Sequence, residues 1–206
     1  MNFLAGDIGG TKTLLGVFKW DNTLVKLHQT KYSSSEWVSI EPMLSHFLEN
    51  LPTDIERPKS GCLAIAGPVF NGLSKLTNLD WVLDEQKICA SANLNSLELI
   101  NDICVLIHGI PFLNSDQFLR IQSGKINNLN KGVVAVIAAG TGLGIARGYF
   151  NGEKIISLPS EGGHIEFSPR TKSEWELSQW LKTNLNLERL SLERVVSGTG
   201  LGNIAS

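Results

Sequence analysis

The sequence predicts an α/β fold built from mixed sheets with helices on their faces. Three observations predict it. Short apolar runs alternate with stretches of helical spacing through the first hundred residues, and a second set of apolar runs starts afresh at Gly132. Each set turns on a cluster of small residues. The first is Gly6-Asp7-Ile8-Gly9-Gly10-Thr11-Lys12-Thr13, and the second is Ala139-Gly140-Thr141-Gly142-Leu143-Gly144.

Phe3 to Ile8 reads as a short apolar strand that ends in the Gly9-Gly10 turn, and Thr13 to Trp20 reads as its antiparallel partner. A third strand follows around Leu24 to Tyr32. Trp37 to Leu51 carries Ile40, Leu44, Phe47, Leu48 and Leu51 at helical spacing, with Ser34 or Ser35 available as a cap. Cys62 to Ala66 is a buried strand stopped by Gly67-Pro68. Asp84 to Ala92 is a short helix, Leu97 to Ile100 a buried strand, and Ile103 to His108 the start of a helix. The order is β-β-β-α-β-α-β-α.

The second set begins with the continuous apolar run Val133 to Ala138. Leu143 to Phe150 fits a partner across the glycine turn, and Asn151-Gly152 signals a hairpin into Glu153 to Leu158. Helical spacing returns over Glu174 to Leu185 and Leu192 to Val196. The polar, Asn-rich segment 114–131 is the expected boundary between a first domain, 1–113, and a second, 114–206. Gly-Thr-Gly-Leu-Gly occurs twice, at 140–144 and 198–202. The first copy follows a strand and suits a phosphate loop. The second lies between helical segments, where Gly198 can end one helix and Thr199 cap the next.

Composition excludes several classes of function. Of 206 residues, 42% are hydrophobic and 18% charged, with a formal net charge of −2 and so no basic excess to attract nucleic acid or a membrane surface. No window approaches the roughly 18 apolar residues of a membrane span. The three cysteines, Cys62, Cys89 and Cys104, are odd in number and lack CxxC spacing, which reads as thiols in a reducing compartment. Asp7 stands where a signal peptide needs apolar residues. These features predict a cytoplasmic globular protein.

Small residues and hydroxyls at a strand end let a backbone approach phosphate oxygens without side chains in the way. Two such turns with Asn101-Asp102 between them point to phosphoryl transfer. Asp7, at the end of a buried strand, can hold Mg²⁺ or its water near phosphates, or simply cap the turn. Thr11 and Lys12 add a hydroxyl and a cation. The run is not a Walker loop, because Thr11 separates Gly10 from Lys12, and neither cluster is spaced GxGxxG. Asp102 follows a buried strand and precedes a helix, where it can act as a general base toward an alcohol or as an N-cap. Glu161 and His164 suit hydrogen bonds to vicinal hydroxyls, and no further His or Cys stands at zinc-ligand spacing. Thr77-Asn78-Leu79-Asp80-Trp81 is a polar loop that offers an amide to a sugar or buries Trp81 in a turn. Glu193, beside Arg194, reads by itself as a helix-dipole residue. His28 and His46 read as surface or packing residues, and His108 as a helix-end residue.

Taken in order, these blocks resemble a known family. Asp7-Ile8-Gly9-Gly10-Thr11-Lys12, Ala64-Ile65-Ala66-Gly67-Pro68-Val69, Thr77 to Trp81, Leu99-Ile100-Asn101-Asp102, Gly140 to Gly144, Glu161 to His164 and Glu193 to Gly198 are similar to the blocks of bacterial glucokinases. That family lies within the actin and hexokinase superfamily. The related sugar kinases with a cysteine-rich zinc motif match less well, since no Cys follows His164. The resemblance implies a two-lobed, ribonuclease H-like fold and phosphorylation of glucose at its 6-hydroxyl by ATP with Mg²⁺. It implies Asp102 as general base, and Asn78, Asn101, Asp102, Glu161, His164 and Glu193 around the sugar. Asp7, Gly9, Gly10, Thr11, Lys12, Gly140, Thr141 and Gly142 would face the phosphates, with Asp7 nearest the metal. It also implies a homodimer and lobes that close over the sugar to exclude water.

Members of that family run on past the point where this chain stops, at Ile204-Ala205-Ser206, so the second lobe is expected to be incomplete and to lack the adenosine segment. A sugar-binding protein without kinase activity, a kinase for another hexose, and polyphosphate as donor are the competing readings.

Overall fold

The computed structural model describes residues 1–76, 79–122 and 132–205. The chain folds into two compact units, Met1–Asp102 and Ile103–Ser206. Of the expected 114–131 boundary segment, residues 123–131 lie outside the described residues.

In the first unit, β1 (Asn2–Ile8), β2 (Lys12–Asp21) and β3 (Thr23–Ser33) form an antiparallel meander. β4 (Ser60–Ile65) and β8 (Ser96–Asn101) join it in parallel, giving the order β3-β2-β1-β4-β8. Two helices pack together against this sheet. α1 (Ile40–Glu49) is shorter than the expected Trp37 to Leu51; it buries Ile40, Leu44, Phe47 and Leu48 as anticipated and Met43 besides, while Leu51 lies past its C-cap, Asn50. From α2 (Glu85–Ala92), Ile88 joins Leu4, Ile8, Leu15, Leu63 and Ile65 in the same core. Each fully buried Leu, Ile or Phe side chain adds about 1.5–3 kcal/mol. The carboxylate of Asp84 accepts from the amides of Gln86 and Lys87, at 2.9 and 3.2 Å, and fixes where α2 starts.

Two features of the first unit differ from the sequence reading. Neither Ser34 nor Ser35 caps α1. Its N-cap is Ser39, and Ser34 opens a short 3-10 turn, Ser34–Glu36, because its side chain is engaged elsewhere. The segment before α2 holds a small antiparallel sheet, β5 (Val69–Phe70), β6 (Leu73–Lys75) and β7 (Val82–Asp84), whose strands are too short to carry a periodicity. It delivers Leu83 to the main core, and Trp81, just ahead of β7, is buried there with its indole N–H on the Trp37 carbonyl at 3.3 Å.

α3 (Asp102–Gly109) follows β8 directly. The second unit holds an antiparallel sheet in the order β11-β10-β9, from β9 (Gly132–Ala139), β10 (Leu143–Phe150) and β11 (Ile155–Ser160). The β9–β10 pair closes across the glycine turn at Leu143 opposite Ala139, as the sequence predicts. Val133, Tyr149 and Ile156 stand in register on this sheet and are all exposed. α4 (Lys172–Asn184) starts two residues ahead of the sequence expectation, because the Thr171 hydroxyl accepts from Glu174 N–H and caps it. The expected helix over Leu192 to Val196 is a single 3-10 turn, Leu192–Arg194. In α5 (Gly198–Ala205) the cap is Ser197 and not Thr199, since the Ser197 hydroxyl accepts from Gly200 N–H at 2.9 Å. None of the described helices is long and apolar enough to cross a membrane.

Candidate active site

In the first unit the site residues gather at the carboxyl ends of three parallel strands, the edge of an α/β sheet where ligands bind. Ile8 of β1 lies opposite Ile65 of β4, and Ile65 opposite Asn101 of β8. The turn from Gly9 to Lys12 leaves the end of β1 and is closed by Gly9 N–H donating to the Lys12 carbonyl at 3.0 Å. The Gly10 and Thr11 amides have no partner among the described residues, so both donors are available to an anion.

What holds this turn is Ser34. Its hydroxyl donates to the Gly9 carbonyl at 2.8 Å and lies 3.0 Å from the Thr13 hydroxyl, while its own N–H donates to the Thr11 carbonyl at 3.0 Å. Ser34 and Thr13 are fully buried. Sequence reasoning missed this role. The available signal was Thr13, a hydroxyl beginning an otherwise apolar run and so in need of a buried partner.

Asp7 keeps contact with solvent, yet the protein around it desolvates its carboxylate and raises its pKa above the ordinary value. Asn101 orients Asp102. Its side-chain amide donates to the Gly67 carbonyl and to the Asp102 carboxylate, each at 3.1 Å. Gly67 follows β4, so the next strand of the same sheet anchors the Asn101-Asp102 pair. Asn78 lies outside the described residues.

In the second unit three separate segments meet at the backbone of Leu143. Glu193 accepts a hydrogen bond from Leu143 N–H at 2.9 Å. Gly163 packs against the Leu143 carbonyl so closely that a Cβ there would collide with it. Gly163 sits in the 3-10 turn Gly162–His164, which carries Glu161 and His164 at its two ends. The His164 Nε2 lies 3.6 Å from a Glu161 carboxylate oxygen and both side chains are mostly exposed, which leaves them open to a hydroxylated ligand. The segment bearing Glu193 reaches this place through a strand-like pairing. Leu192 N–H donates to the Ile165 carbonyl and Phe167 N–H to the Leu190 carbonyl, both at 2.8 Å.

The turn itself, Gly140 to Gly142, is closed by Gly140 N–H donating to the Gly142 carbonyl at 2.9 Å. As in the first turn, two amides, those of Thr141 and Gly142, have no partner among the described residues. Glu193 is therefore more than the helix-dipole residue its sequence setting suggests: its carboxylate lies directly on the glycine turn. Among the described residues no group of three His, Cys, Asp or Glu side chains forms a metal cluster.

A family model described as Glucokinase matches residues 4–206. A curated glucokinase of Nostoc sp. is 40% identical over 202 residues, which cover 96% of this chain and 58% of that relative. A crystal structure of a glucokinase from an Antarctic psychrotroph aligns at 30% identity with a TM-score of 0.81, covering 98% of this chain and 62% of the other. A glucokinase of Balamuthia mandrillaris in complex with glucose aligns at 22% identity with a TM-score of 0.71, a likeness of fold. The chain spans 58 to 60% of the length of the curated relatives it matches.

Proposed function

This chain belongs to the glucokinase family, and on that ground we propose that it transfers the terminal phosphoryl group of ATP to the 6-hydroxyl of glucose. Its mixed α/β fold is that of the actin and hexokinase-like sugar kinases. The observation that carries the proposal is an arrangement in each unit. In the first, a glycine turn with two amides unpartnered among the described residues and the Asn101–Asp102 pair lie at the same edge of the sheet, and in the second Glu193 bonds directly beside such a turn.

The roles follow those the family resemblance implies. The Asp102 carboxylate, aimed by Asn101, accepts the proton of the sugar hydroxyl as that oxygen attacks phosphorus. Glu161, His164 and Glu193 hold the other hydroxyls, with Asn78 assigned the same role from the sequence. The amides of Gly10, Thr11, Thr141 and Gly142 donate to phosphate oxygens, and Lys12 adds a positive charge. The donor set fits Mg²⁺. Asp7, near the end of β1, precedes the turn whose Gly10 and Thr11 amides would meet phosphate, and Mg²⁺ takes one or two carboxylates plus phosphate oxygens and waters. When bound, the ion neutralises charge on the transferring phosphates. Asp7 would hold it, directly or through water.

The proposal places the protein in the cytoplasm, as the sequence reading expects from an odd number of cysteines without CxxC spacing. It also makes the protein a homodimer, as the family resemblance implies, which light scattering of the purified chain would check.

The Asp102→Asn variant tests the base. Removal of a general base costs about 10²- to 10⁴-fold in kcat, whereas glucose affinity, read by calorimetry, is expected to stay close to the original. A variant with full turnover would overturn the assignment. A chain that binds glucose and releases no ADP would be a sugar-binding protein.

A further inference from the structure

The two Gly-Thr-Gly-Leu-Gly copies are in contact. Gly198 N–H donates to the Gly140 carbonyl at 2.8 Å. The Thr199 hydroxyl donates to the Thr141 carbonyl at 2.8 Å, and Thr199 N–H to the same oxygen at 3.3 Å. From a different direction the Glu193 carboxylate accepts from Leu143 N–H. These two holds are joined through Ser197, which is buried. Its hydroxyl donates to the Glu193 carbonyl at 2.7 Å and accepts from Gly200 N–H at 2.9 Å.

We infer that the second copy and Glu193 form one clamp that sets the 140–144 turn, and that Glu193 links occupancy of the sugar site to the order of that turn. The physical argument rests on the peptide plane. In a trans peptide the carbonyl of one residue and the N–H of the next point in opposite directions. The clamp holds the Gly140 and Thr141 carbonyls, so it aims the Thr141 and Gly142 amides the other way. Those are the two amides of the turn without partners among the described residues. Holding two carbonyls on one side thus fixes two donors on the other before any anion arrives, which is what preorganised stabilisation of phosphate charge requires. A Cβ at position 142 would lie 2.5 Å from a carboxylate oxygen of Glu193, so a side chain there would push that carboxylate off the turn.

The link to sugar follows from the geometry of a carboxylate. Glu193 places Oε2 on Leu143 N–H, and a carboxylate has two oxygens with about four acceptor sites. It can therefore keep the turn and accept from a sugar hydroxyl together. A sugar bound there immobilises Glu193 and, through Leu143, the turn. Glu193 and Thr199 are positioning residues in this account, and the sugar part rests on the proposed function above.

Amide hydrogen exchange of the purified chain, followed residue by residue by NMR, tests both parts. Without ligand, Glu193→Ala is expected to speed exchange at Leu143 about tenfold, the loss of one charge-assisted bond. Glu193→Gln, which keeps an acceptor oxygen, restores protection. Thr199→Val speeds exchange at Gly140 and Thr199→Ser restores it, which a loss of packing alone would not do. Unchanged Leu143 exchange in Glu193→Ala, or unchanged Gly140 exchange in Thr199→Val, would overturn the clamp. Glucose is expected to slow Leu143 exchange in the parent chain and not in Glu193→Ala. Glucose that raises the melting temperature without affecting Leu143 would overturn the link. Absence of any glucose effect would overturn the sugar reading and the link with it, while the ligand-free rates still decide the clamp.

Discussion

The two glycine turns look alike in sequence and are held in different ways. The turn from Gly9 to Lys12 rests on two buried hydroxyls, Ser34 and Thr13, which are neutral and sealed in the core side of the meander. The turn from Gly140 to Gly142 rests on backbone bonds from its own repeat and on the carboxylate of Glu193. The first brace is out of reach of any ligand, so folding alone determines its shape. The second includes a group that a bound sugar would touch on the proposed function. The same small residues would then serve a fixed donor site in one unit and a ligand-responsive one in the other.

Four substitutions would break or sharpen this contrast. The largest effect is expected at Gly163→Ala. The added Cβ runs into the Leu143 carbonyl, which is backbone and cannot rotate away, so urea unfolding should show a loss of about 3 kcal/mol. Ser34→Ala comes next. It strands the Gly9 carbonyl and the buried Thr13 hydroxyl, at about 2 kcal/mol by the same measurement. A loss near zero would mean that the first turn needs no brace. Gly142→Ala should cost less, about 1 kcal/mol, because its Cβ meets the end of a side chain that can swing aside. That variant should also lose protection of the Leu143 amide, whereas Ser34→Ala should not.

The smallest effect concerns Asp7 and has a definite pH sign. Desolvation raises its folded-state pKa above the unfolded one, so the folded chain resists losing that proton. The cost is present above the raised value, and it fades as pH falls through that value toward the ordinary carboxylate range. Asp7→Asn should therefore raise the melting temperature at neutral pH, with the difference from the parent chain shrinking in mild acid. A melting temperature lowered at neutral pH would contradict this reading of Asp7 as a charged group kept at a cost to stability.

Much of this was legible in the sequence because it depends on local signals. Apolar runs ending in glycine located β1, β4 and β9, and an apolar run ending in Asn101-Asp102 located β8, and with them the strand ends that carry Asp7, Asp102 and the second turn. The bonds that position those residues were not legible. Ser34 lies 25 residues from Gly9 and Glu193 lies 50 residues from Leu143, and serine and glutamate are common enough to announce neither pairing. The repeat at 198–202 was visible as a repeat. Its contact with 140–144 was not, because periodicity reports elements and says nothing about which loops meet. The β5 to β7 sheet escaped for the opposite reason, its strands being only two or three residues long.

On the proposed function these turns, with Asp102, serve sugar-dependent phosphoryl transfer. The most direct test is ADP release by the 206-residue chain from Mg-ATP with glucose, mannose, fructose or no sugar, beside Asp102→Asn. The account predicts release that depends on glucose and falls about 10²-fold or more in the variant. Release that ignores the sugar, or that Asp102→Asn leaves intact, would contradict it.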